Sequence, residues 1–384
     1  MTINDLDRCS NCGACVNACP TKAISVNRDN VFYEPVIDGD KCIRCGKCFD
    51  VCPVKDQHGA AVTSPISAYA GWHNNSEIVS SSSSGGAFFG IAEYIIANGG
   101  IVFGAVYSDD SKEVLFKSTD EVCLSALQKS KYVESLVSDT FTRIKDILKT
   151  GRLVLFCGTP CQVAGLKNYL HEDYENLLTC DFACGGLPSH RIYRDYLSYL
   201  ESKYGSKIKK IDFRPKTYGW KRYAIFVEFE NGKVYDRLGV EDPYLKSFLY
   251  GKLSVRDYCL ECDFSLNHYS DITIADFWLH GELTEMDNNN GISLILCNTE
   301  KGASSVDKIC DSYVLEEIDP RKASYNVKKE IYSQEYVNKH RDFLKSYDSN
   351  GLKKTYKIFL SNSLKKSIKY RITRYFFDIK RGKK

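Results

Sequence analysis

Short apolar segments alternate with longer segments of helical periodicity from about residue 66 onward, and this order predicts an α/β core with a mixed sheet. A helix is expected over 87–97, because its apolar run ends at Asn98-Gly99-Gly100, a typical helix stop. Residues 121–150 have mostly helical character, with an interruption around 130–132. Strands are expected at 68–74, 101–107, 152–156 and 176–182 and in the segments IKKIDFRPK, ITIADFW and ISLILCN.

The segment RYAIFVEFENGKVYDR predicts an antiparallel hairpin, since Asn231-Gly232 suits a two-residue turn between two alternating runs. One helix is expected to begin at Cys161, and a second helix, after ACGGLPSHR, is expected to run through about Lys203. After about residue 315 the chain shows only helical segments and no residues with candidate chemistry. We therefore expect residues 316–384 to form a helical tail.

Composition limits the class of protein. With 384 residues, 43% of them hydrophobic and 26% charged, the chain is long enough for two or three globular domains. The opening MTINDLDRCS lacks the basic and apolar stretches of a signal peptide, and no apolar run approaches eighteen residues. We expect neither a signal peptide nor a transmembrane helix. At least eight of the seventeen cysteines are expected to be thiolate ligands, which indicates a protein that matures in the reducing cytosol.

The tail has a charge unlike that of the rest of the chain. Residues 353–384 carry twelve lysines and arginines against one acid, Asp378, whereas the whole chain has a net charge of only +3. Basic residues mixed with aromatic and aliphatic ones suit the anionic inner face of a membrane. Peripheral membrane contact, a partner-binding helix and a solvated helix all remain open, and nucleic acid is not an expected partner.

The first fifty-odd residues repeat one cysteine pattern. Each copy reads C-x2-C-x2-C-x3-C-P, the pattern of bacterial ferredoxins that bind two 4Fe-4S clusters, and it predicts an α+β module over residues 1–60. Zinc ligation and disulfides are the alternatives, but zinc has no use for the fourth, proline-followed cysteine. In this pattern the fourth cysteine of each copy binds the cluster of the other copy. Cluster one is assigned to Cys9, Cys12, Cys15 and Cys52, and cluster two to Cys42, Cys45, Cys48 and Cys19.

Three further cysteine pairs lie at the ends of predicted strands: Cys157/Cys161, Cys180/Cys184 and Cys259/Cys262. Carboxyl ends of strands in open α/β sheets collect ligands, so these pairs predict one more iron–sulfur cluster. Four ligands are needed and six cysteines are offered, and their spacing does not choose among them. Buried free cysteines are the alternative, and it is the preferred interpretation for the isolated Cys123, Cys297 and Cys310.

Six motifs in a fixed order give the chain a family resemblance over about residues 66–315. They are SGGAFFGIAEYIIANGGIVFGAVY, SKYVES, FCGTPCQVAGL, CDFACGGLPS, YCLECDFS and ITIADFW. The chain resembles the beta subunit family of coenzyme F420 (8-hydroxy-5-deazaflavin) hydrogenases and dehydrogenases. The resemblance implies FAD and one core 4Fe-4S cluster. It implies Cys161, Cys184, Cys259 and Cys262 as the ligands, with Cys157 and Cys180 lining or extending the site.

The resemblance also implies a division of the core. Residues 66–150 are expected to be the FAD-binding part, and residues 151–315 the part with the 4Fe-4S site. A glycine loop before a helix gives a pyrophosphate its backbone N–H donors, which points to Ser84, Gly85 and Gly86. Lys131, Tyr132 and Gln162 are the other expected flavin contacts. A serine-rich linker and a solvated lysine are the alternatives at Ser84 and Lys131.

The predicted function is an iron–sulfur flavoprotein oxidoreductase. Electrons would pass between the ferredoxin clusters, the core cluster, FAD and a small-molecule or deazaflavin-type substrate, with a redox protein or ferredoxin as partner. Relatives near polysaccharide genes make such a pathway a further expectation. The alternative is a non-catalytic subunit that relays electrons to another enzyme.

No catalytic acid–base pair is evident in the sequence. Candidates for proton delivery are His73, His190, His268 and His280, and candidates for binding an anionic substrate are Arg214, Lys216, Trp220 and Arg222. A structural histidine and a solvated hairpin edge are the respective alternatives. The segment after Trp278 departs from the family pattern, because Leu279 and His280 precede Gly281.

Overall fold

The computed structural model describes residues 1–6, 8–56, 61–62, 64–265, 267–278, 289–323, 327 and 332–360. Within these ranges, no helix is long and apolar enough to cross a membrane. The predicted contacts at His280 and most of the basic tail lie outside the described residues.

Thirteen strands occur in the described part of the chain. They are β1 (Ile24–Asn27), β2 (Glu34–Ile37), β3 (Ser67–His73), β4 (Ile101–Tyr107), β5 (Val114–Ser118), β6 (Val154–Cys157), β7 (Leu177–Phe182), β8 (Ile208–Asp212), β9 (Ala224–Phe229), β10 (Val234–Leu238), β11 (Ile272–Asp276), β12 (Ser293–Cys297) and β13 (Tyr313–Glu317).

Eight of these strands form the central mixed sheet, in the order β13-β3-β12-β11-β7-β6-β4-β5. The pairs β4–β6, β6–β7 and β7–β11 are parallel. Antiparallel strands extend the sheet on both sides of these four. The carboxyl ends of β4, β6, β7 and β11 therefore lie along one edge, where ligands bind in open α/β sheets.

Twelve α-helices occur in the described part of the chain, and some of them cover the two faces of the central sheet. They are α1 (Ala14–Ala18), α2 (Lys47–Asp50), α3 (Ser76–Ser81), α4 (Ala87–Ala97), α5 (Leu124–Leu127), α6 (Thr140–Leu148), α7 (Pro160–Leu170), α8 (His190–Tyr204), α9 (Pro243–Leu245), α10 (Glu300–Asp307), α11 (Pro320–Ala323) and α12 (Gln334–Phe359). A π-helical turn over Lys246–Tyr250 continues α9.

Apolar side chains on the strands of the central sheet alternate between its two faces. Val102, Leu155 and Leu178 pack with α4 on one face. Phe103 and Phe156 pack with α6 and α7 on the other. Because successive strand residues point to opposite faces, each strand contributes to both hydrophobic cores.

A smaller antiparallel sheet, in the order β10-β9-β8, packs beside the central one. Its core contains side chains of α8 and of the kinked helix α12, among them Tyr196 and Phe343. The kink lies at Gly351, which has φ 72° and ψ 172°.

The ferredoxin module is packed into the main hydrophobic core. Helix α1 contacts α6 and α7. Cys12, Ala14 and Val51 belong to the same buried group as Phe156 and Leu166. The approach is so close that a Cβ added at Gly165 would lie 2.9 Å from both Cβ and Sγ of Cys12.

The structure confirms an α+β module followed by a core with a mixed sheet, and the expected bounds of α4 and β4 are those observed. Other expectations were wrong in part. Residues 121–150 contain only the short α5 and α6, because 128–139 form an irregular loop in which Lys129 and Ser138 have positive φ values of 67° and 51°. Strands β5 and β13 and helix α3 were missed. The residues after 315 were expected to be helical only, yet β13 runs to Glu317.

Candidate iron–sulfur and flavin site

Cys9, Cys12, Cys15 and Cys52 line one cavity of about 920 Å³ between the ferredoxin module, the core and α12. Burial, and next the neighbouring Cys52, raise the pKa of the Cys12 thiol to about 12. Burial and Cys12, Cys9 and Cys52 raise the pKa of Cys15 well above its usual value. The fourth cysteine of the second repeat thus lies with the first three of the first repeat.

Cys42, Cys45 and Cys48 line a second, small cavity with Cys19. The repeats also share their backbone conformation, since Asn11 and Arg44 have φ of 57° and 53°, and Gly13 and Gly46 have φ of 83° and 80°. These positive φ values turn each cysteine loop around its cavity. The backbone N–H groups of Asn11 and Ala23 donate to Sγ of Cys9 and Cys19 at 3.3 and 3.2 Å.

Four of the six core cysteines converge. Cys161 lies at the start of α7, Cys184 follows β7, and Cys259 and Cys262 lie in and next to a 3-10 turn over Asp257–Glu261. Burial, followed by Cys262 and Cys184, raises the pKa of Cys161 well above its usual value. Burial also raises the pKa of Cys184 to about 11, with Cys262 adding to it. The pKa of Cys259 is raised by burial and then by Cys184 and Cys262.

Burial and the neighbouring cysteines disfavour the charged thiolate form of Cys161, Cys184 and Cys259. Iron ligation requires this form, and the positive charge of a bound iron–sulfur core would stabilise it. Among the described residues, no three Cys, His, Asp or Glu side chains lie close enough to share one metal ion. A four-iron cluster holds its ligand sulfurs on different irons, and the donor set fits that larger group.

Cys157 and Cys180 lie apart from those four. They are register partners on the parallel strands β6 and β7. Cys180 belongs to the apolar group on the α4 face, and Cys157 packs against it, whereas Cys161 and Cys262 lie with the core on the α7 face. The sheet thus separates the six cysteines into a group of four and a pair.

The four cysteines around the 920 Å³ cavity and the four convergent core cysteines are neighbours. Cys12 is among the charges that affect Cys161, and Sγ of Cys161 lies 3.6 Å from the backbone oxygen of Ser10. Arg256 lies between the two groups, because both Cys9 and Cys259 affect its guanidinium. It also lines the cavity that contains Cys9, Cys12, Cys15 and Cys52, where Nε of Arg256 has no hydrogen-bond partner among the described atoms.

A buried polar network joins the ferredoxin module to the core. Glu134 accepts from Arg256 Nη2 at 2.9 Å and from the backbone N–H of Tyr33 at 3.1 Å, and its Oε1 lies 2.7 Å from Nδ1 of His190. The His190 ring stacks on Tyr33 at 3.7 Å between centroids. The sequence named His190 only as a proton donor and did not reveal this junction, since Tyr33 lies in an unremarkable strand–turn segment.

The glycine loop expected to hold a pyrophosphate is packed tightly on the sheet. A Cβ at Gly85 would lie 2.4 Å from the backbone oxygen of Gly71 and 2.7 Å from the nitrogen of Ser293. The Oγ of Ser84 donates to the backbone oxygen of Ile292 at 2.7 Å. At the start of α4, the N–H groups of Ala87 and Gly90 donate to side-chain oxygens of β12 and β13. These two amides and the Ser84 hydroxyl therefore already have protein partners.

The structure does bring the expected flavin segments together. The backbone N–H and Oγ of Ser130 lie 3.0 and 3.1 Å from Oγ of Ser83. Lys131 donates from Nζ to the backbone oxygen of Gln128 at 2.6 Å, and burial lowers the pKa of this lysine to about 7. Tyr132 packs on Phe213 and Phe248.

Gln162 is buried as part of a helix cap. Its Oε1 accepts from the backbone N–H of Thr159 at 2.9 Å, and its Nε2 donates to Oγ of Ser135 at 3.0 Å. Both polar ends of the expected flavin contact are therefore engaged by α7 and the SKYVES segment. In contrast, the buried Nε2 of Gln128 has no partner among the described atoms.

Arg214 and Lys216 do not lie on a solvated hairpin edge. Arg214 is buried and donates to both carboxylate oxygens of Asp276 at 2.7 and 3.3 Å. Lys216 donates to the backbone oxygens of Val79 and Ser84, the latter at 2.7 Å, and burial lowers its pKa to about 7. Trp220, also buried, stacks on Trp278 at 4.6 Å between centroids.

The cationic edge at Lys131, Lys216 and Arg214 was only partly visible from the sequence. Lys131 and Lys216 are 85 positions apart, and folding places both beside the Ser83–Ser84 loop. A flavin nucleotide offers phosphates and ring carbonyls, which these two lysines and the unpartnered Gln128 amide fit chemically. The hydrogen-bond donors that match these groups lie at the carboxyl edge of β4, β6 and β11.

The remaining described histidines among the candidates have structural partners. His268 lies 2.9 Å from Oδ2 of Asp181, and both side chains are buried. His73 accepts from the backbone N–H of Asn75 at 2.9 Å and packs against Tyr313.

Two parts of the chain match known families. Residues 151–323 match the family described as the C terminus of the beta subunit of coenzyme F420 hydrogenase/dehydrogenase. Residues 8–55 and 34–78 each match a 4Fe-4S dicluster domain. No curated protein matches the chain significantly. A chain of the F420-reducing NiFe hydrogenase complex from Methanosarcina barkeri is 16% identical, with 75% of this chain and 94% of that chain covered and a TM-score of 0.46.

Proposed function

Because the chain joins a 4Fe-4S dicluster domain to the C-terminal domain found in the beta subunits of coenzyme F420 hydrogenases and dehydrogenases, we propose that it is an iron–sulfur flavoprotein oxidoreductase. The observation that carries the proposal is the grouping of twelve cysteines into three sets of four, two in the ferredoxin module and one at the carboxyl edge of the sheet. Each set supplies the four thiolates of one 4Fe-4S cluster.

In the proposed assignment the ferredoxin ligands are crossed. Cys52 completes the site of Cys9, Cys12 and Cys15, and Cys19 completes that of Cys42, Cys45 and Cys48. The core cluster is held by Cys161, Cys184, Cys259 and Cys262. The separation of Cys157 and Cys180 on the opposite face of the sheet supports this choice of four.

The order of the sites supports a route for electrons. Cluster two lies at the surface, where Cys45 is exposed, and cluster one lies between it and the core. Cys15 is affected by Cys48, and Cys12 approaches Cys161, so each site has the next as its neighbour. Electrons entering at cluster two reach the core cluster through cluster one, or leave by the same route.

FAD would lie at the edge formed by Ser83, Ser130, Lys131 and Lys216. When bound there, it supplies the change from single-electron transfer to two-electron chemistry. The lysines bind the anionic parts of the nucleotide, and a positive charge near the ring stabilises the reduced anionic form. Ser84 and the first amides of α4 are engaged by the sheet, and Lys131 and Lys216 donate to backbone oxygens. The two lysines would exchange these partners for the anionic groups of the nucleotide.

The surface loop of cluster two fits contact with a redox protein. Ile43 is 64% exposed beside the exposed Cys45. A partner protein that docks here brings its own cofactor close to cluster two. This favours a relay to or from another protein, in addition to turnover of a small-molecule or deazaflavin-type substrate.

Anaerobic reconstitution with iron, sulfide and FAD tests the proposal. About twelve irons and one FAD per chain are expected if all three sites hold 4Fe-4S clusters. The matched control replaces Cys123, an exposed cysteine outside all three sets, with serine and should keep the full iron content. About eight irons per chain, the content of two clusters, would refute the core cluster, and failure to bind FAD would refute the flavin site.

A further inference from the structure

Cys157 and Cys180 face each other across two paired strands. Cys157 is the last residue of β6, and its register partner on β7 is Cys180. Both side chains are on the α4 face of the sheet, where Cys180 is fully buried and Cys157 is half-buried. They are therefore same-face neighbours, with one thiol accessible from the carboxyl edge.

The spacing suits a covalent link between the two sulfurs. Paired strands lie about 4.8 Å apart, and disulfides join residues whose Cα atoms are about 4.4 to 6.8 Å apart. The thiols interact, since a hydrogen bond with Cys157, followed by burial, raises the pKa of Cys180 well above its usual value. Cys157 is the last residue of its strand, and the N–H of Gly158 still donates to the backbone oxygen of Cys180 at 3.1 Å, which holds the two cysteines in register.

Lys131 places a base and a charge beside this pair. Burial has the largest effect on the pKa of Lys131, and the charge of Cys157 has the next largest. Burial lowers the pKa of Lys131 to about 7, so a large share of this amine is neutral near neutral pH. A neutral amine accepts a thiol proton, and its charged form stabilises the thiolate that results, which is the species that forms disulfides.

We propose that Cys157 and Cys180 form a two-electron redox site, a dithiol that converts reversibly to a disulfide next to the flavin edge. In the oxidation, two S–H bonds break, one S–S bond forms, and two protons and two electrons leave. Lys131 takes the first proton. An oxidised flavin takes up the two electrons and two protons, and the reverse reaction reduces the disulfide. The choice of flavin as oxidant rests on the proposed function above.

The test traps the thiols of the full chain and maps the peptides by mass spectrometry. The protein, reconstituted with iron, sulfide and FAD, is held anaerobically with oxidised FAD, then alkylated and digested. We expect a peptide in which Cys157 is linked to Cys180, lost after dithiothreitol and absent in C157S. The matched control C123S should retain the link, since Cys123 lies outside the pair.

A second arm separates this site from the flavin proposal. The chemical thiol oxidant diamide replaces FAD, so the link should form even if the chain binds no flavin. Free Cys157 and Cys180 after diamide would overturn the dithiol site. C157S should keep the full iron content, and a loss of about four irons would overturn the proposal by making Cys157 a cluster ligand. C157S is the informative variant, because its half-buried position tolerates serine better than Cys180 does.

Discussion

Arg256 donates a hydrogen bond from Nη2 to Oε2 of Glu134 at 2.9 Å, and both side chains are buried where the ferredoxin module meets the core. The same carboxylate also accepts from the backbone N–H of Tyr33. Glu134 comes from the core and Tyr33 from the ferredoxin module, so one buried carboxylate holds the two together. A buried charge is stable only while its partners remain, and this one depends on residues from both modules.

Substitution E134A should therefore destabilise the chain strongly. Removal of one member of a buried pair typically costs about 3–5 kcal/mol, because the other charge is left uncompensated. The control is E113A, which breaks the more exposed pair between Glu113 and Arg28, also a link between the modules. An exposed pair contributes about 0–1 kcal/mol. Urea unfolding measures both, and equal losses for the two variants would contradict the role given to Glu134.

Arg256 should also set the reduction potentials of two clusters. Its positive charge lies between Cys9 and Cys259, and positive charge favours the reduced, more negative cluster. Replacement R256Q should lower the potentials of cluster one and the core cluster, and R256K should retain more of each potential. Potentiometric titration followed by electron paramagnetic resonance measures them. Potentials that are unchanged in R256Q would exclude this role, and cluster two serves as the internal reference.

Crossed ligation makes a prediction that uncrossed ligation reverses. Cys19 lines the cavity of Cys42, Cys45 and Cys48, although it belongs to the first repeat. C19S should therefore disturb cluster two and leave the spectrum of cluster one intact, and C52S should do the opposite. Electron paramagnetic resonance and iron content of the two variants decide the matter. Loss of cluster one in C19S would show that each repeat binds its own cluster.

Gly165 should be required for the contact between α7 and cluster one. A methyl group there meets Cβ and Sγ of Cys12 at 2.9 Å, closer than such atoms approach. Overpacking of this kind costs about 1–3 kcal/mol, and G165A should push the cysteine loop away from the core. Slower electron transfer from cluster one to the core cluster, measured by rapid mixing, is the expected result. The control is G39A, where an added Cβ has no neighbour within 4 Å.

The pair of His268 and Asp181 should make stability depend on pH. Burial opposes the charged imidazole, but Asp181 outweighs it, and the pKa of His268 is raised in the folded chain. A raised pKa contributes stability that is complete below the unfolded value of about 6.5 and is lost as pH rises through the folded value. The chain should thus lose unfolding free energy relative to H268Q as pH rises above about 6.5. A parallel pH dependence in both proteins would contradict this.

The sequence by itself determined the local and repetitive features. The spacing of cysteines in the two repeats, the helix over 87–97 and the hairpin at Asn231-Gly232 depend on residues close along the chain, so their patterns are visible without the fold. It also singled out the three core cysteine pairs as candidates for a further cluster, because pairs of cysteines at close spacing are visible in the sequence. Lys131 and the serine loop were named as neighbours of one cofactor on family resemblance.

Only the tertiary structure decided which distant residues lie together at each site. Cys157 and Cys180 lie on one face of the sheet, and the four convergent cysteines lie apart from them. Because a turn lies between Cys157 and Cys161, their spacing in the sequence does not show that they are on opposite faces. Close packing against Gly71 and Ser293 explains why position 85 has no room for a side chain, although the sequence around Gly85 indicated a phosphate-binding loop. The junction of Glu134, Tyr33 and Arg256 combines three segments more than a hundred residues apart. Such contacts depend on the packing of segments that are distant in the sequence, and local periodicity carries no information about that packing.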